Sequence, residues 1–117
     1  MNDRVLVFRL GGLGDLLVSL PSLKLLREFH RHSGFTLVCR ENYGRLFLEA
    51  GLVEEVVSAE SGFLTGLFVD DALPNSRLGA WLDGFGTVWG WTSREAGTRL
   101  GEALLRQGAW NVRFISP

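Results

Sequence analysis

Short apolar segments alternate along the chain with longer stretches that have helical periodicity. Continuously apolar runs are typical of strands covered on both faces, and their alternation with helices indicates a parallel sheet. We therefore predict an α/β fold: an open parallel sheet of about five strands, with helices on both faces and the first, most apolar strand at the centre. The predicted strands are Val5–Phe8, Phe35–Cys39, Glu55–Ser58, Thr87–Trp91 and Val112–Ile115.

The first predicted helix carries apolar residues around most of its circumference. A helix with this pattern is normally buried, so we expect it to be largely buried. Pro21 lacks a backbone N–H and is expected to break the helix near Ser19 and Leu20. The predicted helices are Asp15–His32, Asn42–Ala50, Ser76–Leu82 and Ser93–Gln107.

The ends of the later helices carry residues that favour such positions. Asn42 is a candidate N-cap of the second helix, and Gly51 is expected to end it. Gly108 follows the fourth helix in the same way. The segment Ser61–Leu73 is apolar but interrupted by glycine, and we expect a loop with one helical turn.

Length and composition exclude several classes of protein. A chain of 117 residues corresponds to one domain, and its 46% of apolar residues is enough to fill a core. A single cysteine, Cys39, allows no internal disulfide and, with two histidines, supplies too few ligands for structural zinc. The net charge of −1 argues against nucleic acid as a partner. We expect a cytoplasmic protein with no metal and no cofactor.

The segment Arg9–Asp15 reads Arg-Leu-Gly-Gly-Leu-Gly-Asp and lies where the first predicted strand ends. In an open parallel sheet this edge binds ligands, glycines let the backbone approach them, and amides at a helix start favour anionic groups. The spacing matches neither the dinucleotide fingerprint nor a P-loop, and a simple tight turn remains open. The candidate substrate-binding residues in this segment are Arg9, Gly12, Leu13 and Gly14.

Asp15 has two roles that are compatible with each other. As an N-cap it would stabilise the helix by ~1 kcal/mol. As a general base it would take a proton from a substrate hydroxyl within hydrogen-bond reach. A helix N-terminus lowers the basicity of a carboxylate, so such a base would act through its position.

Further candidates follow the second and fourth predicted strands. Arg40 and the run Thr92, Ser93 and Arg94 are predicted at the same sheet edge as the glycine turn, where they are candidates for binding phosphate or hydroxyl groups. The alternative is that Ser93 caps a helix and the two arginines are solvated. The four tryptophans, Trp81, Trp89, Trp91 and Trp110, are expected in the core and in the wall of the binding cleft, and Trp91 is also a candidate for stacking on a sugar.

Two pairs of polar residues are expected to be structural rather than functional. His30 and His32 are two positions apart on a helix, do not share a face, and are predicted at the surface. Asp70 and Asp71 lack further metal ligands nearby and are predicted to form an acidic loop.

The run from Val5 to Leu23 resembles the amino-terminal signature of glycosyltransferase family 9, the ADP-heptose:lipopolysaccharide heptosyltransferases. That signature consists of an apolar strand, a basic residue, a Gly-x-x-Gly-Asp turn, and an apolar helix interrupted by Leu-Pro-x-Leu. All four parts are present in this order. The resemblance is specific over residues 4–23 and looser over most of the remaining chain.

The resemblance implies one half of a GT-B fold. In this fold two Rossmann-like domains face a cleft, the first binds the acceptor, the second binds the nucleotide sugar, and transfer proceeds with inversion and without a metal. The resemblance implies that Asp15, which follows the last glycine of the turn, is the general base. The resemblance thus implies that residues 1–117 are the amino-terminal acceptor-side domain, that the donor domain is absent, and that this chain alone is inactive.

The implied partners are a saccharide or glycolipid acceptor of the lipopolysaccharide-core type and, with a second domain, an ADP-sugar donor. Peripheral contact with the inner membrane is also expected. Without its second domain the cleft face should expose an apolar patch near Leu13 and Trp91 and support self-association. Two other classes stay open: a stand-alone nucleotide- or phosphate-binding module, and a non-catalytic interaction domain.

Overall fold

The computed structural model describes residues 4–10, 17–69, 72–91, 94–109 and 111–115, with the backbone alone at residues 41–42 and 94–96. Five strands form one sheet in the order β3-β2-β1-β4-β5, and every neighbouring pair is parallel. The predicted open α/β sheet with its first strand at the centre is confirmed. The strands are β1 (Arg4–Arg9), β2 (Phe35–Cys39), β3 (Glu55–Ser58), β4 (Phe85–Trp91) and β5 (Val112–Ile115).

Helices cover both faces of the sheet, as predicted. Leu6 and Phe8 of β1 face a core formed with the third and fourth helices and a 3₁₀ helix, whereas Val5 and Val7 face a core formed with the first two helices. Alternate residues of a strand point to opposite faces, so the uninterrupted apolar run of β1 contributes to both cores. The helices are α1 (Leu20–Phe29), α2 (Glu41–Glu49), the 3₁₀ helix (Gly62–Leu67), α3 (Ser76–Leu82) and α4 (Arg94–Arg106).

The predicted break before Pro21 is confirmed. Leu17 and Val18 are helical, Ser19 forms a turn, and α1 begins at Leu20 with the proline in its first turn. A proline is tolerated there because the first N–H groups of a helix have no intrahelical acceptor.

The expectation that this helix is largely buried is wrong. Leu23 and Leu26 pack on the sheet, but Leu25 and Phe29 are 67% and 78% exposed. The sheet covers one side of α1, and no other described element covers the opposite side. Because periodicity reports which positions are apolar and not which are covered, the pattern alone overestimated burial.

The predicted caps have different outcomes. The N-cap position of α2 is Arg40, so the assignment of Asn42 as the cap is wrong. Gly51 follows α2 with a φ of +73°, a conformation that favours glycine and ends the helix as predicted. In α3 the cap is Asn75, whose side chain accepts hydrogen bonds from the backbone N–H groups of Arg77 and Leu78.

The glycine-interrupted segment between β3 and α3 contributes to the core. Its 3₁₀ helix is longer than the single turn expected, because Leu64 and Leu67 are buried against the sheet. Downstream, the buried side chain of Gln107 accepts a hydrogen bond from the N–H of Asn75 at 2.7 Å and donates one to the carbonyl of Leu73 at 3.0 Å. These bonds hold the start of α3 against the end of α4.

Within the described part of the chain, no helix is both long enough and apolar enough to cross a membrane.

Candidate functional site

The carboxyl ends of the strands meet at one edge of the sheet. Arg9 at the end of β1 is the register partner of Trp91 at the end of β4, and Cys39 of β2 is paired with Ser58 of β3. The chain therefore enters segments 11–16 and 92–93 from adjacent strand ends. These segments, which hold the candidates Gly12, Leu13, Gly14, Asp15, Thr92 and Ser93, lie outside the described residues.

Arg9 places a buried positive charge at this edge. Arg9 is 7% exposed, and its Nη1 donates a hydrogen bond to the carbonyl oxygen of Trp91 at 3.1 Å. The bond joins the ends of β1 and its neighbour β4. Because electrostatic interactions are stronger where water is excluded, a guanidinium held here favours anionic groups at the sheet edge.

Arg40 and Arg94 are the other described candidates at this edge. Arg40 directly follows β2, its carbonyl accepts the N–H of Tyr43 at 3.1 Å, and its side chain is exposed. Arg94 is the first residue of α4 and follows β4 after two residues. Both backbone positions thus lie beside the strand ends that the sequence analysis selected.

Trp91 is a core residue, which is one of the two placements expected for the tryptophans, and it lacks the exposure that stacking on a sugar requires. The residue is 4% exposed and packs in the core that contains Val7, with Ile115 against it. An indole covered in this way presents no face to a sugar, so the stacking role is wrong for this structure. The predicted apolar patch at Trp91 is wrong for the same reason, whereas Leu13 lies outside the described residues.

The single thiol at this edge is not a nucleophile. Cys39 is buried, and burial raises the pKa of its thiol to about 11, although a hydrogen bond with the backbone of Gly44 opposes the shift. At neutral pH the group is therefore protonated, and the thiolate is the form that attacks.

His30 has a structural role that the sequence analysis missed. Nε1 of Trp89 donates a hydrogen bond to Nε2 of His30 at 3.3 Å, and the imidazole lies edge-on to the rings of Phe29, Phe35 and Trp89. The placement of His30 as a simple surface residue is wrong, whereas His32 is exposed as predicted. No local signal marked the difference, because the partner indole is 59 residues away.

This hydrogen bond makes folding stability depend on pH. Burial lowers the pKa of His30 below 6.5. Nε2 can accept the hydrogen bond from the indole N–H of Trp89 only while Nε2 itself carries no proton. As the pH falls through 6.5, the unfolded chain takes up the proton more readily than the folded one, so stability present above that pH is lost. We expect unfolding titrations in urea to show a lower free energy of unfolding at about pH 5.5 than at about pH 7.5.

His30→Gln should remove most of this loss, and His32→Gln, at an exposed position, serves as its control. A wild-type pH dependence retained in full by His30→Gln would contradict the assignment.

The fold and the strand-end geometry define a Rossmann-like α/β domain of the open, parallel type. Neither the family models nor the curated proteins contain a match to this sequence. Among solved structures, the domain is similar to a glycosyl transferase family 9 protein from Veillonella parvula, with a TM-score of 0.66 and 19% identity. The similarity covers 99% of this chain and 33% of that one, so the chain spans about a third of its length.

Proposed function

We propose that residues 1–117 form the amino-terminal, acceptor-side domain of an inverting glycosyltransferase of the heptosyltransferase type, one half of a GT-B fold. The observation that carries the proposal is the structural similarity, which covers 99% of this chain and a third of a glycosyl transferase family 9 protein. The match of residues 4–23 to the signature of that family supports it independently. In this proposal a cytoplasmic enzyme at the inner membrane surface modifies a lipopolysaccharide-core acceptor.

The chemistry follows from the roles of the edge residues. A hydroxyl oxygen of the acceptor attacks the anomeric carbon of an ADP-heptose, the bond from that carbon to the phosphate oxygen breaks, and ADP leaves. Asp15 takes the proton of the attacking hydroxyl. The backbone of Gly12–Gly14 and the buried guanidinium of Arg9 stabilise anionic groups nearby.

The remaining candidates bind the acceptor. Arg40 is exposed at the end of β2, where its guanidinium is accessible to a phosphate group. Thr92, Ser93 and Arg94 follow β4, the strand next to β1. The donor nucleotide is held by a second domain, and this chain alone transfers no sugar because one wall of a cleft cannot orient two substrates or exclude water.

Ligand titration separates this proposal from the two alternatives. We expect calorimetry to show that this chain binds a detergent-dispersed lipopolysaccharide-core glycolipid and does not bind ADP tightly. Arg40→Gln should weaken glycolipid binding about tenfold, since a charge-assisted hydrogen bond is lost. Arg106→Gln, at the end of α4 remote from this edge, is the matched control.

Tight binding of ADP by the chain alone would favour the stand-alone nucleotide-binding module. Binding of neither ligand would favour the non-catalytic interaction domain.

A further inference from the structure

A groove of about 560 Å³ lies between α1 and the strands β4 and β5. This volume is in the range of small-molecule sites. Thr87, near the start of β4, and Asn111, just before β5, line the groove, which places it at the amino-terminal half of these strands. The groove is therefore separate from the carboxyl edge to which the proposed transferase chemistry belongs.

One wall of the groove is apolar and exposed. Leu25 and Phe29 lie four residues apart on α1, so they share a side of the helix, and Trp89 of β4 lines the groove with them. The side chains of Leu25 and Phe29 are mostly exposed, whereas Leu23 and Leu26 of the same helix are buried. An apolar or aromatic group placed here would remove their surface from water.

The groove also contains a cation that has no anionic partner among the described residues. The guanidinium of Arg113 lies 5.8 Å from the centre of the Trp89 ring, and its Nε donates a long hydrogen bond of 3.4 Å to Oδ1 of Asn111. The amide of Asn111 is itself fixed by hydrogen bonds of 3.1 Å to the carbonyl of Gly86 and the hydroxyl of Thr87. Arg113 is thus oriented from two sides.

Arg113 retains donors for a ligand. A guanidinium has five N–H donors in a planar fork that matches a carboxylate, and in the described structure the hydrogen bonds of Arg113 use Nε alone. The terminal nitrogens are therefore available for a bidentate contact. A neutral or cationic ligand would leave this charge unmatched.

We propose that the groove binds a small aryl carboxylate, with the ring against Leu25, Phe29 and Trp89 and the carboxylate on Arg113. The apolar wall favours a ligand with an aromatic ring, and the guanidinium of Arg113 favours a ligand with a negative charge. This site is independent of the proposed glycosyl transfer.

The test uses naphthoate as the probe and naphthylmethanol as an uncharged ligand of nearly the same shape. Binding is followed by the amide chemical shifts of the wild-type chain in nitrogen-15 NMR spectra. We expect naphthoate to shift residues of α1, β4 and β5 and to bind about fivefold more tightly than naphthylmethanol, the effect of one partly exposed charge pair. Arg113→Gln should abolish that preference, whereas Arg45→Gln, at an exposed arginine of α2, should leave it intact.

A second pair of variants tests the apolar wall without disturbing the core. Leu25→Gln and Phe29→Gln replace exposed side chains, so the fold should persist while both ligands bind at least about fivefold more weakly. Leu105→Gln, at an exposed leucine of α4 on the other face of the sheet, is the control.

Equal affinity for the two ligands, or equal effects of Arg113→Gln and Arg45→Gln, would overturn the proposal. A concentration-dependent sedimentation coefficient that Leu25→Gln and Phe29→Gln abolish would assign the groove to a second copy of the chain and would likewise overturn it.

Discussion

Replacing Asp15 by Asn is expected to lower the turnover of the two-domain enzyme by about 10²- to 10⁴-fold, the usual contribution of a general base. Asparagine is as good an N-cap as aspartate, so the helix start and the fold should persist. Affinity for the acceptor should change far less than the rate, because the carboxylate acts on a proton that moves only in the reaction. The measurement is steady-state transfer from an ADP-heptose with the domain restored to a two-domain context.

The control for this variant is Asp15→Ser, which preserves a capping side chain and also lacks the base. Both variants should be equally impaired. Turnover near the parental value in Asp15→Asn would show that Asp15 is a structural cap and that the proton goes elsewhere.

Replacing Gly44 by Ala is expected to destabilise the domain by about 1–3 kcal/mol, although the same change in an exposed helix interior stabilises by up to ~1 kcal/mol. Gly44 lies in α2 where the helix backbone approaches β3, and an added Cβ would overlap the side chain of Val56 and lie 2.7 Å from Sγ of Cys39. Both neighbours are short side chains of paired strands, so relieving the overlap requires an altered rotamer or a shift of α2 away from β2 and β3. Urea unfolding should show a lower midpoint with an unchanged slope.

Gly62→Ala is the matched control, because no atom lies within 4 Å of a Cβ added there. Stability unchanged or increased in Gly44→Ala would mean that α2 sits farther from the sheet than the structure has it.

The sheet was predictable because its signal is local. Each strand is a short apolar run, and the run in β1 is uninterrupted because both of its faces are covered. Helix ends were predictable where one residue sets the backbone, as at Gly51 with its positive φ. Asn42 failed as a cap because α2 begins at Glu41, one residue earlier, and its N-cap position, Arg40, makes no side-chain capping hydrogen bond that the sequence could have marked.

Burial was less predictable because it depends on distant partners. Apolar periodicity could not distinguish Leu26, which packs on the sheet, from Leu25, which does not. The sequence left Trp91 open as a core residue or as a residue that stacks on a sugar, and its packing with α1 and α2 decides for the core. His30 acquired its role from an indole far along the chain.

The candidate site was predictable as a location and not as an arrangement. The rule that parallel strands end at one edge selected the positions of Arg9, Arg40 and Arg94, and the described residues lie at that edge. The burial of Arg9 was not predictable, because a basic residue after an apolar strand is usually solvated. Its contact with the carbonyl of Trp91 depends on the pairing of β1 with β4.

The hydrogen bonds of Gln107 have a consequence for how the domain opens. They join positions separated by 32 and 34 residues, so the start of α3 cannot detach while the end of α4 stays in place. Local fluctuations that expose the Asn75 amide to solvent therefore require the two helices to open as one cooperative unit. Hydrogen exchange at that amide is expected to report the opening free energy of this pair of helices rather than the fraying of a short helix.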